Sequence, residues 1–457
     1  MCIRDRRNVA EVLDFKESKA KGLHVCYNPN GTEKYRLNYS NGKKNGKEQF
    51  FNEEGALIGE GVYEGGTPKG THWRAHSNGA LAYQANFDEK GTLLEPISEY
   101  NEDGQIVREF FIVQDRFNGP YYEWYDDGIP KVEYNYIGGQ YEGAQKEYYP
   151  SGQIKVTTHY RDQQRDGVHE EWHENGILAR RVHFYEGLKD GQMGEWYPNG
   201  NSKTDAYFQQ NHPDGVQSEW HENGQLKRRA EFTFGLKQGW HREWNAAGEL
   251  LFEACFADDQ VNGTAISWWN KDQIKTNFTF DKGKKQGTHK WFYKDGTPER
   301  IAEYKDDLQV GKMQAWYPDG SLQAVQTFKN GKPVGVHRNY YPKKAPNQKY
   351  KERLAHLFQY DDEGQMHGEE RTYYEDGSLQ LTIRYHHGKM DGKREIYDPQ
   401  GNLAEEANYV LGKLDGKYSQ KTPDGREVVT HYNSSTCLLY TSPSPRDRTR
   451  SRMPSSA

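Results

Sequence analysis

Large aromatic residues recur along this chain at a constant interval. Tyr148, Trp172, Trp196, Trp220, Trp244, Trp268, Phe292 and Trp316 stand 24 residues apart, each five residues after a glycine. With that glycine as position zero, +11 is often aliphatic (Ile154, Leu178, Leu226, Leu250, Leu322) and +17 is aromatic again (Tyr136, Tyr160, Phe184, Phe208, Phe232, Phe256, Phe280). A fixed period of this kind marks a tandem array, in which each unit is one supersecondary element.

The glycines name the element. Gly119, Gly143, Gly167, Gly191, Gly215, Gly239, Gly263, Gly287, Gly311 and Gly335 keep the spacing without a slip, and Gly22, Gly46, Gly70, Gly368, Gly392 and Gly416 extend it. Glu95 stands one residue late where a glycine is due, and an insertion at 344–352 separates Gly335 from Gly368, giving seventeen anchors in all. A second glycine recurs at +9 (Gly128, Gly152, Gly176, Gly200, Gly224, Gly320, Gly377), although Asp272 and Lys344 depart from it. Position +7 is proline in seven units, including Pro150, Pro198 and Pro318. Proline is held near φ −65°, which suits a type I turn and excludes type I′. Pro-Asp-Gly is therefore expected to form a type I turn closed by a left-handed glycine and a bulge, so that +5 faces +11 across a hairpin. Simple alternation then places +5, +11 and +17 on one face. A further glycine at +20 (Gly187, Gly235, Gly283, Gly331) marks the return turn into the next unit. The expected fold is all-β: an elongated tandem β-hairpin array, a single twisted antiparallel meander of about 17 units rising ~10 Å each.

Both ends fall outside the register. Residues 1–6 (MCIRDR) and 437–457 resemble translated sequencing-adapter read-through, which leaves 7–343 and 353–436 as the array on either side of the insertion. Setting those ends aside removes six arginines and two aspartates and takes the formal charge from −6 to −10. A mixed, mildly acidic surface argues against nucleic acid as a partner. Cys26 and Cys255 are then the remaining cysteines, nine repeats apart and too far to pair within one chain. The compartment stays open. Only 33% of residues are hydrophobic, which alone would suggest disorder, but 14% are aromatic and most recur in register. Such a chain can bury aromatic stripes between neighbouring units without a globular core.

At this point the residues carry a family resemblance. Gly191-Gln-Met-Gly-Glu-Trp196-Tyr-Pro-Asn-Gly200 and Gly311-Lys-Met-Gln-Ala-Trp316-Tyr-Pro-Asp-Gly320 resemble the MORN repeat in its bacterial variant. The resemblance implies a β-hairpin array with scaffolding, protein-binding or lipid-headgroup-binding roles, and many bacterial relatives are labelled antitoxin components.

Catalytic chemistry is not expected. His169-Glu170-Glu171-Trp172-His173 satisfies a zinc-protease pattern that requires a helix, but here it lies on a strand, where about 13 Å separates the histidines. No cofactor or metal cluster can be placed from the sequence. The candidate binding feature is a ladder at +6: Tyr125, Tyr149, His173, Tyr197, His221, Trp269, Tyr293, Tyr317, Tyr341 and Tyr374. Spaced at ~10 Å, these rings suit stacking on sugars, lipid headgroups or a partner strand, or packing over the turns. A protein partner is the favoured expectation, with lipid headgroup or cell-wall glycan behind it. Uncapped sheet edges add end-to-end or homo-oligomeric association.

Overall fold

A computed structural model describes residues 2–5, 8–343, 352–422, 424–433 and 436–438. Two units, residues 1–225 and 226–457, are each an antiparallel meander in which consecutive strands pair. Among the described residues there is no helix, and so none long and apolar enough to cross a membrane. Most of the insertion and of the 437–457 tail lie outside the described residues. Cys2–Asp5 pairs with Asn8–Val12, and Thr436–Leu438 pairs with Glu427–Asn433.

The two turns of each repeat differ in kind. At the hairpin tip, the Gly152 N–H donates to the Tyr149 carbonyl at 2.8 Å, and the Tyr149 N–H donates to the Gln153 carbonyl at 2.8 Å. Gly152 sits at φ 82° and Gly200 at φ 86°, the left-handed closure that the proline at +7 requires. Around the insertion the same hairpin is lengthened, and the Tyr341 N–H donates to the Arg353 carbonyl at 2.9 Å. Where Asp272 replaces glycine, the tip shortens so that Asn270 pairs with Gln273. The return turn has positive φ at both central residues, as at Glu186 (47°) and Gly187 (80°), which is type I′ geometry.

Each anchor glycine sits in a bulge. Val182 pairs with Met193 and Phe184 with Lys189, so one residue on the first strand faces three on the second, among them Gly191 at φ 112°. An L side chain resists that φ, which is why glycine holds the register. At the bulge the +16 N–H of the preceding repeat is met by the side chain at +2, while the +16 carbonyl also accepts from the backbone N–H just before the anchor glycine, as Glu142 donates to Asn135 at 3.0 Å. The Gln145 Nε2–H donates to the Asn135 carbonyl at 3.1 Å, while Gln145 Oε1 accepts from the Asn135 N–H at 3.0 Å. His72 Nε2 reaches the Val62 carbonyl at 2.9 Å, and His289 and His337 reach those of Thr279 and Thr327 at 2.8 Å each.

These +2 side chains pair directly with +15 to form the most buried row. His169 faces Val182, His241 faces Ala254 and His289 faces Ala302. His289 is 0% exposed, its ring 4.7 Å from both Phe278 and Tyr304. Small residues at +15 (Ala85, Ala206, Ala254, Ala302, Ala407) make room for the larger +2 groups.

One expectation about the faces is corrected. Trp172 does pair with Leu178, placing +5 opposite +11, but Glu171 then pairs with Arg180, skipping one residue. That bulge at +12 reverses the alternation. The +17 aromatics therefore join +2 and +15, as the 6.2 Å contact of Phe184 with His169 shows. The +5 aromatics lie on the other face with +3, where the Trp196 ring covers Gly194.

Two predictions follow from this architecture. Burial holds His72, His289 and His337 below the ordinary imidazole pKa, against the opposing effect of their backbone hydrogen bonds. The unfolded chain therefore binds more protons below about pH 6.5, so this stability is present above that pH and is lost as pH falls. Denaturant unfolding should show the loss between about pH 7 and 5, and the His289→Gln/His337→Gln variant, copying the native Gln145, should flatten it. Gly296 sits at φ 85° with open space where a Cβ would be. Gly296→Ala should therefore cost about 1 kcal/mol through backbone conformation alone, measured in the same assay.

Candidate binding surface

The +6 ladder forms, but its polar ends are already engaged. The hydroxyls of Tyr125, Tyr149 and Tyr197 donate to the carbonyls of Tyr148, Trp172 and Trp220 at 3.0, 2.8 and 2.9 Å. His173 Nε2 reaches the Trp196 carbonyl at 2.9 Å, and Trp269 Nε1–H donates to that of Phe292 at 3.0 Å. Tyr293, Tyr317, Tyr341 and Tyr374 repeat the contact with Trp316, Tyr340, Tyr373 and Tyr397 at 2.8 to 3.0 Å. Each of these nine +6 side chains thus reaches the +5 carbonyl of the next repeat and staples the two hairpins together. Tyr341 keeps that staple across the insertion. His221 occupies the same position, with its N–H donating to Gln225 at 2.8 Å.

The remaining sequence-selected residues are structural. Gly119, Gly143, Gly167, Gly191, Gly215 and Gly239 all have φ between 63° and 112°. Trp172, Trp196, Trp220, Trp244 and Trp316 are half-buried at hairpin tips, and Phe208 and Phe232 are half-buried at +17. The protease-like motif separates as its strand context requires. His169 Nε2 reaches Glu171 at 2.7 Å and its Nδ1 accepts from the Thr158 hydroxyl at 2.5 Å, while His173 belongs to the staple. Thr158 and His169 are 7% and 6% exposed, and their contact ties neighbouring strands of the bulge row together.

A different surface stands out in residues 117–165, on the face that carries +2 and +17. Two adjoining cavities of about 350 and 120 Å³ share Tyr134 and Glu147. Tyr121 stacks on Tyr134 at 6.1 Å, Tyr134 meets Tyr141 at 5.2 Å, and Tyr141 meets Tyr160 at 5.4 Å. Carboxylates orient the hydroxyls: Tyr134 donates to Glu147 at 3.1 Å and Tyr121 to Glu123. Lys131 and Lys155 pair with Glu123 and Glu147 at 3.3 and 3.5 Å along the rim. Burial, then the hydrogen bond to Glu123, pushes the Tyr121 pKa up to about 12, and burial raises Tyr134 and Tyr136 further. These phenols remain neutral hydrogen-bonding groups throughout physiological pH. Tyr136 and Tyr160 belong to the +17 series named from the sequence, whereas Tyr121, Tyr134 and Tyr141 were passed over because they occupy positions that are not aromatic in most repeats.

On the opposite face, Trp196 and Trp220 flank a cavity of about 390 Å³ with Arg181, His183, Gln192 and Asp205. Gly194 opens it, since a Cβ there would lie 2.5 Å from Trp196 Cη2. For metals, the described residues bring together His367, His386 and His387, and separately Glu11, His24 and Cys26. The sequence placed neither cluster, because partners on adjoining strands are hidden in a linear reading.

A family model described as the MORN repeat variant matches residues 141–162, 165–184, 213–233, 285–306, 309–330, 366–387 and 390–410. No curated protein matches the chain. Among solved structures, the crystal structure of TcdB2-TccC3-Cdc42 aligns at 10% identity over 92% of this chain and 27% of its own, with a TM-score of 0.13. The Photorhabdus luminescens Tc holotoxin pore with the TccC3-D651A mutation aligns at 11% identity over 90% of this chain and 26% of its own, with a TM-score of 0.14. The chain spans 26% to 27% of the length of these two proteins.

The staple yields a direct test. Tyr197→Phe keeps the ring and removes the hydrogen bond to Trp220, so it should cost about 1 kcal/mol in denaturant unfolding. An unchanged stability would mean that the hydroxyl is free for other work.

Proposed function

The chain belongs to the MORN repeat variant family, and on that footing we propose that it is a non-catalytic scaffold whose tyrosine-lined groove holds a protein partner. The supporting observation is the run Tyr121, Tyr134, Tyr136, Tyr141 and Tyr160: buried and half-buried rings in mutual contact, with the Tyr121 and Tyr134 hydroxyls held by Glu123 and Glu147. Tyrosine gives large, rigid, amphipathic contact area at low entropic cost and is enriched in binding hot spots. The Glu–Lys rim supplies paired polar groups around an aromatic centre, the anatomy of a protein interface. A repeat array supplies the rigid backing that keeps the rings in place.

A second reading rests on the Trp196–Trp220 cavity. Two indoles beside Arg181, Gln192 and Asp205 offer a stacking surface with polar groups at its edge, which suits a sugar ring. Lipid-headgroup and toxin-neutralising roles rest on the family resemblance.

The test is peptide display against the full chain, followed by affinity measurement on the recovered peptides. Tyr134→Ala/Tyr141→Ala should weaken them at least about tenfold, a loss of ~1.4 kcal/mol, while Trp196→Ala leaves them unchanged. Peptides insensitive to the tyrosine variant would sink the groove assignment. Glycan binding abolished by Trp196→Ala would move the function to the opposite face.

A further inference from the structure

Three histidines meet at one return turn in residues 226–457. His386 and His387 precede Gly388, whose N–H donates to the Met366 carbonyl at 2.8 Å. That bond holds the turn beside His367, the residue before Gly368, the anchor glycine of the same repeat. The rings lie 5.1 Å (His367–His386), 5.1 Å (His367–His387) and 4.4 Å (His386–His387) apart. One nitrogen from each lies within 4.8 Å of the other two.

We propose that His367, His386 and His387 form a binding site for a first-row transition-metal dication of the zinc, nickel or copper class. Imidazole nitrogens suit these borderline ions, and three of them leave a fourth position for water. Two further features favour a ligating role over chance proximity. His367 Nδ1 is buried and has no hydrogen-bond partner, a lone pair or proton without an assignment in the fold. His387 Nδ1 lies 2.9 Å from Asp361 Oδ2, so a proton on that nitrogen leaves Nε2 as the basic atom. A carboxylate behind a histidine is the usual way a ligating ring is oriented and made more basic.

The local backbone serves the same end. His387 has φ 47° and occupies the first central position of the type I′ turn, where a left-handed residue is required and histidine is tolerated. At that turn His386 and His387 are exposed. Metal–nitrogen bonds of ~2.05 Å at tetrahedral angles bring the nitrogens to about 3.4 Å apart, within reach of side-chain rotation alone. Glu363 converges with Asp361 and His387 in a further group that shares His387, and adds negative charge beside the site.

Calorimetric titration of the untagged full chain with zinc chloride tests the proposal, with copper(II) electron paramagnetic resonance as a second readout. The expected result is a zinc site whose affinity falls at least about tenfold in His386→Gln/His387→Asn, with asparagine chosen because it accepts the left-handed turn. The copper spectrum of the native chain should show coupling to several nitrogens, and the variant should lose it while keeping its β-type circular dichroism. Zinc binding unchanged in the variant overturns the proposal, as does a native chain that takes up no zinc. A variant that loses its β signal is replaced by His367→Gln, for which the same loss of zinc binding and copper–nitrogen coupling is required.

Discussion

The repeat depends on how the bulge at each anchor glycine is closed. Three residues facing one cannot keep a regular ladder, so an N–H at +16 would be left without a partner, at a cost of about 1–3 kcal/mol where it is buried. The side chain at +2 removes that penalty by reaching back across the bulge, as Gln145 does to the Asn135 N–H and His337 to that of Thr327. Glycine is needed for the bulge, and a polar group of the right length is needed to close it. The consequence is a buried row that is polar in composition yet hydrogen-bonded, with small residues at +15 filling against it.

That arrangement explains how a chain with so few aliphatic residues holds a defined fold. Its buried layer is one row of +2 and +15 residues flanked by the +17 aromatics, not a volume of leucine and valine. The +6 staple adds a second tie between consecutive hairpins, independent of the bulge. Tyr149, His173 and Trp269 differ in chemistry but share an outward-reaching donor, and all three find the +5 carbonyl of the next repeat.

Much of this was legible in the sequence. The period, the type I tip with proline at +7 and the pairing of +5 with +11 follow from turn chemistry, and the structure has them. The face of +17 was not legible, because the bulge at +12 that reverses the alternation requires no special residue. The +2 row was missed for a related reason: His72, Gln145 and His289 do not look like core residues. A signal was present, since +2 is histidine in six repeats (His24, His72, His169, His241, His289, His337) and +15 is repeatedly alanine. The tyrosine groove and the histidine cluster depend on contacts between strands of neighbouring repeats, which sequence spacing alone does not reveal.

The consensus positions are spent on the fold: glycine on the bulge, +2 on its closure, +6 on the staple, and +5 and +17 on the two aromatic stripes. What distinguishes one repeat from another lies where a unit departs from that consensus. Gly194 opens a cavity because a small residue replaces the larger side chains that most repeats carry at +3. Tyr134 at +15 stands where six other repeats carry alanine, and Tyr141 follows a return turn where most carry an aliphatic or polar residue, so the surface between them is aromatic. His367, His386 and His387 concentrate imidazole at a single return turn. In an array built from near-identical backbone units, the exceptions are what set one stretch of surface apart from the next, and each exception here sits on a backbone held by the repeated positions.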